Sequence, residues 1–327
     1  GIFRELAVRL SQGLQDDGCL TMGESRVRWF PNQNPEVQTD HARDHLAIVI
    51  QTQVPDVSQG TIELLTLIDA IFGAQAAEVL LLFSYMPYSR SDRKDKPRIS
   101  AMGVRLPYLL THGFEGTKRF LLLDPHDSHI KHFFSPVADE ISAIYLLVAK
   151  AQEMFFSGRA EQTGCVVFPD EGAARRYRVV SSLLNCPSAY IDKARDPETG
   201  KIKTRGIIGR VEGKVCLLVD DEVATGTTAI NDAHALLYTG AEAVYMIFPH
   251  AVLMDSILTR EEVVRKLQDS PIRGFITTDS IPFPMTPAPK FTIVSVAPFL
   301  AEAITCNLTG GSLSDLHTLP SVARYMP

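Results

Sequence analysis

Short apolar runs alternate along this chain with stretches in which apolar residues recur at helical spacing. Leu46–Gln51 reads LAIVIQ and residues 79–83 read VLLLF. Runs of this length, apolar at consecutive positions, predict strands buried on both faces of a parallel sheet. Residues 61–72 place Ile62, Leu65, Ile68 and Ile71 close to the helical period and predict a helix, and residues 102–111 predict another. Residues 119–123, RFLLL, predict a strand that stops at Asp124. Further on, residues 165–168, 189–191, Val215–Val219, 243–248 and 291–296 predict strands. Residues 172–184 and 231–238 predict helices, the second closed by Gly240. This order predicts an α/β protein with mainly parallel sheets flanked by helices. Acids ending two of the strands, at Asp124 and Asp220, point to two similar halves. Their boundary is expected near residues 144–164, with a ligand at the junction.

Composition narrows the function classes. Of 327 residues, 45% are hydrophobic and 21% charged, the range of ordinary globular proteins. A net charge of −6 gives no basic field, which argues against nucleic acid as the main partner. An anionic ligand would need local cations or a metal ion. Cys19, Cys165, Cys186, Cys216 and Cys306 are odd in number and form no C-x-x-C, which fits a reducing compartment and a cytoplasmic location. The longest apolar region, residues 64–88, is broken by Asp69, Gly73 and Glu78, so it reads as a helix and a strand rather than a membrane span.

The most specific chemistry lies in residues 215–228, VCLLVDDEVATGTT. An apolar strand ends in Asp220 and Asp221, a turn of small residues follows through Ala224, Thr225, Gly226, Thr227 and Thr228, and then a helix begins. Strand-end carboxylates can accept hydrogen bonds from sugar hydroxyls. Turn N–H groups at a helix N-terminus can hold a phosphate. Together they suit a sugar phosphate, whereas an ordinary polar loop is the bland reading.

Other segments carry charge in the same context. Residues 85–100, YMPYSRSDRKDKPRIS, gather Arg90, Arg93, Lys94, Lys96 and Arg98 with Ser91, Asp92 and Asp95 after a strand. That cluster reads either as a loop closing on polyphosphate or as a solvated charged loop. Residues 121–134 set Asp124, His126, Asp127, His129 and His132 just past a strand, where imidazole and carboxylate can meet a phosphate-bound Mg²⁺. Zinc is disfavoured by the absence of nearby cysteines. In residues 166–176, VVFPDEGAARR, Asp170 and Glu171 stand at a strand exit, and Arg175 and Arg176 are expected to face solvent. Lys193 and Arg195 follow a short strand two residues apart. In extended backbone they share a face and could meet charge on a transferring phosphoryl group. Residues 196–203 read as a flap.

Taken in order, YMPYSRSDRKDKPR, LDPHDSHIKHFF, FPDEGAARR, IDKAR and VDDEVATGTT resemble the motifs of ribose-phosphate pyrophosphokinases over roughly residues 46–303. The resemblance implies two phosphoribosyltransferase-like α/β domains. These are an N-terminal ATP-binding domain over residues 1–145, with 297–327 packing back on it, and a ribose-5-phosphate domain over 146–296. It implies that Mg²⁺–ATP gives its β,γ-pyrophosphoryl group to ribose 5-phosphate, with assembly into dimers or hexamers. It assigns Lys193 and Arg195 to catalysis. Arg90, Ser91, Asp95 and His126 go to ATP, with Phe30, Asn32 and Asn34 as adenine candidates in place of the family's usual segment. His126, Asp170 and Asp124 go to the metal. Asp170, Asp220, Asp221 and residues 224–228 go to ribose 5-phosphate. Ala224 stands where the family usually has an acid, Thr227 where it often has glycine, and Ser91 where a glutamine is common. FPDEGA and Ala224 lean toward the plant-type second class, and IDK toward the first. Alternatives are the same chemistry on a larger compound such as ADP-ribose, a non-catalytic regulatory subunit, and a phosphoribosyltransferase.

Overall fold

The computed structural model describes residues 23–52, 54–92, 97–157, 159–195 and 202–318, without the side chains of 194, 195 and 202–204. These residues form two units. The first runs through Ser142 and takes in Leu300–Leu313, and the second covers Ala143–Phe299 and residues 314–318.

In the first unit, β1 (Ser25–Trp29) and β2 (Pro35–Thr39) pair as an antiparallel hairpin. The sheet order is β3-β4-β5-β6, from Leu46–Gln51, Glu78–Phe83, Thr117–Leu123 and Asp139–Ile141, with every pairing parallel. Helix α1 (Val57–Gly73) follows β3, and α2 (Met102–His112) follows β4. Leu80, Leu81, Leu82, Leu121 and Leu122 are each at most 1% exposed. Successive strand residues point to opposite faces, so consecutive burial means the sheet is covered on both sides. On one side the core joins Leu64, Ile68, Leu81, Leu106 and Leu122.

Helix α1 starts where the Asp56 carboxylate accepts the Gln59 N–H at 2.9 Å. Its buried stripe is Thr61, Leu64, Ile68 and Ile71, whereas Ile62 is 47% exposed. Of the series Ile62, Leu65, Ile68, Ile71, the last three face the core and Ile62 has turned away from it. A strict spacing of three falls short of a 3.6-residue turn and drifts around the helix, whereas alternating threes and fours stay on one side.

The second unit opens with α3 (Ile144–Met154) and α4 (Ala160–Thr163), which occupy the region read as a boundary. Next come β7 (Gly164–Phe168), α5 (Glu171–Tyr177), α6 (Val179–Leu184), β8 (Ser188–Arg195), β9 (Ile202–Ile208) and β10 (Val215–Val219). Then follow α7 (Thr227–Tyr238), β11 (Ala243–Ile247), α8 (Arg260–Gln268), β12 (Gly274–Thr278), β13 (Phe291–Val294) and α9 (Ala297–Thr309). Seven strands lie in the order β13-β12-β11-β10-β7-β8-β9, parallel except for the antiparallel β8–β9 pair. β10 sits at the centre, and Cys216, Leu217, Leu218 and Val219 are at most 1% exposed.

Two expected elements change shape. The helix foreseen over 172–184 is interrupted at Arg178, giving α5 and α6. The short strand foreseen over 189–191 extends to Arg195 because β9 pairs with it, and that pairing also takes Ile202 and Lys203 out of the supposed flap. Residues 196–201 lie outside the described set.

The part of α9 that belongs to the first unit is anchored by Arg119. The Arg119 Nε and Nη2 groups grip the Glu78 carboxylate of the neighbouring strand, and Nη1 donates to the Asn307 carbonyl at 3.0 Å. We expect Leu122→Ala, at 0% exposure, to lower the stability of the first unit by about 2–5 kcal/mol. Urea unfolding followed by circular dichroism measures this, and a loss below about 1 kcal/mol would mean the sheet is not packed on both faces.

Candidate active site

The site builds outward from the carboxyl end of β10. Backbone bonds to the segment after β11 hold the acids that follow it. Asp220 N–H donates to Ile247 C=O at 3.2 Å, His250 N–H to Asp221 C=O at 3.1 Å, and Val223 N–H to His250 C=O at 3.1 Å. The two carboxyls then diverge in environment. Asp221 is 5% exposed and pairs with Arg176 of α5 at 3.1 Å. Arg176 is thus not the solvent-facing residue its sequence suggested, although Arg175 is exposed. Asp220 is pushed well above the usual carboxylate range, first by burial and then by the charges of Asp221 and Asp170.

The turn after the acids is shaped by backbone geometry. Gly226 adopts φ +70°, and a Cβ there would lie 2.7 Å from Leu267 Cδ2. Glycine is needed for both reasons. Having no side chain, it leaves the start of α7 without a cap from its own position. The Thr225 hydroxyl instead receives the Thr227 N–H at 3.3 Å. Beneath the turn, α8 supplies a residue the sequence reading missed. Lys266 Nζ donates to Thr225 C=O at 3.0 Å and to Thr227 Oγ1 at 2.8 Å. A cation therefore lies against a loop suited to an anion. No local signal could have found it, since Lys266 is 41 residues from Thr225.

Lys193 and Arg195 both belong to β8, and the side chain of Arg195 is outside the described set. Lys193 Nζ donates to Asp232 Oδ2 at 2.7 Å. Asp170 caps α5, its Oδ1 accepting the Ala173 N–H at 2.8 Å, and it remains exposed. The electrostatic influence of Asp170 on both Asp220 and Asp232 places these carboxyls in one neighbourhood. The second unit thus brings together Lys193, Asp170, Asp220, Asp221 and the turn at 224–228.

In the first unit, Arg90 and Ser91 lie in a single 3₁₀ turn, Ser89–Ser91. Arg90 is exposed. The Ser91 hydroxyl accepts N–H groups from Met102 at 2.9 Å and Gly103 at 3.4 Å, so it caps α2. Asp95 falls outside the described residues, as do Arg93, Lys94 and Lys96. Asp124 is 4% exposed, has φ +41°, and accepts the Ser142 hydroxyl. His126, two residues on, is half-buried. Asp127 is occupied locally, taking the His129 N–H at 2.9 Å. Phe30, Asn32 and Asn34 make the turn between β1 and β2. Phe30 N–H donates to Asn34 C=O at 2.9 Å, and Asn34 N–H to Asn32 Oδ1 at 3.2 Å.

Among the described residues, no three His, Cys, Asp or Glu side chains converge on one point that could hold a metal ion. Of the candidate donors, Asp124 and Asp170 are carboxylates and His126 an imidazole, with Asp170 exposed. That suits Mg²⁺, which is commonly held by one or two carboxylates plus substrate phosphates rather than by an all-protein cage. No described helix is long and apolar enough to cross a membrane.

Comparison with known proteins agrees with this architecture. Residues 4–108 match the N-terminal domain of ribose phosphate pyrophosphokinase, and residues 174–318 match the phosphoribosyl synthetase-associated domain. A ribose-phosphate pyrophosphokinase of Caldanaerobacter subterraneus is 34% identical, covering 95% of both chains. One from Fusobacterium nucleatum is 30% identical, over 94% of this chain and 95% of the relative. The crystal structure of phosphoribosylpyrophosphate synthetase from Mycobacterium smegmatis superposes with a TM-score of 0.81 at 27% identity, covering 94% of this chain and 96% of that one. With identity and fold both extending over nearly its whole length, the chain belongs to the ribose-phosphate pyrophosphokinase family.

Proposed function

We propose that this chain transfers the β,γ-pyrophosphoryl group of ATP to the anomeric hydroxyl of ribose 5-phosphate, giving phosphoribosyl pyrophosphate and AMP. The observation that carries this reading is one array in the second unit. A lysine held by a buried acid, a pair of strand-end carboxyls and a glycine-kinked turn at a helix start all belong to it. In the reaction the anomeric oxygen bonds to the β-phosphorus and the α,β-bridging oxygen departs with AMP. The hydroxyl proton is lost to solvent or a nearby base. Such transfers ask for positioning and charge neutralisation more than covalent help.

On this reading the turn at Ala224, Thr225, Gly226, Thr227 and Thr228 holds the 5-phosphate through its N–H groups, and Lys266 adds positive charge beside it. Asp220 receives ribose hydroxyls, and Asp221, tied to Arg176, holds the acid pair in place. Lys193 and Arg195 are assigned to neutralise the charge that develops on the transferring group. Arg90 binds ATP phosphates. Ser91 supports that loop by capping α2. His126 would help hold Mg²⁺–ATP and Asp170 a second Mg²⁺; each ion would supply charge neutralisation to phosphate when bound.

We expect Mg²⁺, ATP and ribose 5-phosphate to yield AMP and phosphoribosyl pyrophosphate, identified by mass spectrometry. Lys193→Ala should lower the rate by about a hundred-fold or more, and an unchanged rate would dismiss the assignment. Gly226→Ala meets both a strained φ and a 2.7 Å contact with Leu267, so it should raise KM for ribose 5-phosphate by about ten-fold or more. An unaltered KM would detach this turn from the 5-phosphate.

A further inference from the structure

Asp232 lies on α7, whose first residues follow directly from the phosphate turn, and it is 1% exposed. Its Oδ2 accepts Lys193 Nζ at 2.7 Å, and its buried Oδ1 has no hydrogen-bond partner among the described residues. Burial pushes this carboxyl above its ordinary range, against the opposing pull of Lys193 and with a smaller push from Asp170. Stability does not account for an acid placed this way. A buried carboxylate satisfied on one oxygen is expensive, and an apolar residue of similar size would commonly serve the fold as well.

What this carboxylate does is hold an ammonium. Lysine carries its charge on a long flexible stem, so its direction must be fixed by a partner. Lys193 is 13% exposed and sits where the β8–β9 register shifts, between Asp192 and Lys193. Such irregularities re-aim side chains. One of its three N–H donors goes to Asp232, leaving two for a ligand.

We propose that Asp232 is a positioning residue for pyrophosphoryl transfer, holding the Lys193 ammonium in place from the same rigid helix that begins at the phosphate turn. This rests on the reading of Lys193 as the group that meets the transferring charge. Asp232 itself touches no substrate in this account, so its removal should slow the chemical step without weakening ribose 5-phosphate binding.

The test measures steady-state AMP formation by Asp232→Ala, Asp232→Asn, Lys193→Ala and the double variant Asp232→Ala/Lys193→Ala. Asp232→Ala should lower kcat about ten- to a hundred-fold, with KM for ribose 5-phosphate changed by less than about two-fold. Asp232→Asn, which keeps an acceptor oxygen, should lose less. The double variant should match Lys193→Ala alone, because the two residues act as a unit. A wild-type kcat for Asp232→Ala, or losses that multiply in the double variant, would overturn the proposal. If Asp232→Ala fails to fold, the near-isosteric Asp232→Asn carries the comparison, and a wild-type kcat there overturns it equally. A fully active Lys193→Ala would show instead that the underlying reading of Lys193 is wrong.

Discussion

Two carboxyls placed side by side at the end of a buried strand cannot both keep full charge without compensation, and much of this site follows from how that conflict is resolved. Arg176 neutralises Asp221. Among the described residues Asp220 has no equivalent ion pair, and burial with its neighbouring carboxyls pushes it toward its protonated form. The pair is thereby divided into an anchored member and a responsive one. A group offering hydrogen-bond donors to Asp220, such as a sugar hydroxyl, relieves the conflict that the fold leaves standing.

The rest of the second unit keeps this arrangement in register. β10 lies between β7 and β11, and bonds to Ile247 and His250 extend that alignment past the strand end. α8 closes the underside of the turn at 224–228, with Leu267 against Gly226 and Lys266 bonded to Thr225 and Thr227. α7 carries the end of that turn at its start and the Lys193 partner within it. Much of the array therefore rests on α5, α7, α8 and the end of the central strand β10, the kind of support that keeps a site's geometry tight.

The first unit uses some of its polar residues differently from what their chemistry alone suggested. Ser91 caps a helix, Asp127 and Asn32 stabilise local turns, and Asp124 is buried against Ser142. These groups satisfy backbone donors or one another, as polar groups near a packed sheet must. Arg90 and His126 keep the accessibility that a ligand requires.

The sequence by itself determined the α/β class, the position of β10, and the acids and turn that follow it. Each of these depends on residues only a few positions apart, where periodicity and backbone preference act directly. It also led to the family, because the motifs stand in order along the chain. It did not reveal the strand pairing that lengthens β8, the choice of Arg176 for Asp221, the support from Lys266, or the hold of Asp232 on Lys193. β9 and α8 carry enough polar residues to look like surface, and one lysine among many has no local mark of its partner. The Lys193–Asp232 bond spans 39 residues and the Lys266–Thr225 bond 41. Only tertiary packing decides such contacts, because burial and sheet order, not nearest neighbours along the chain, select which charge meets which.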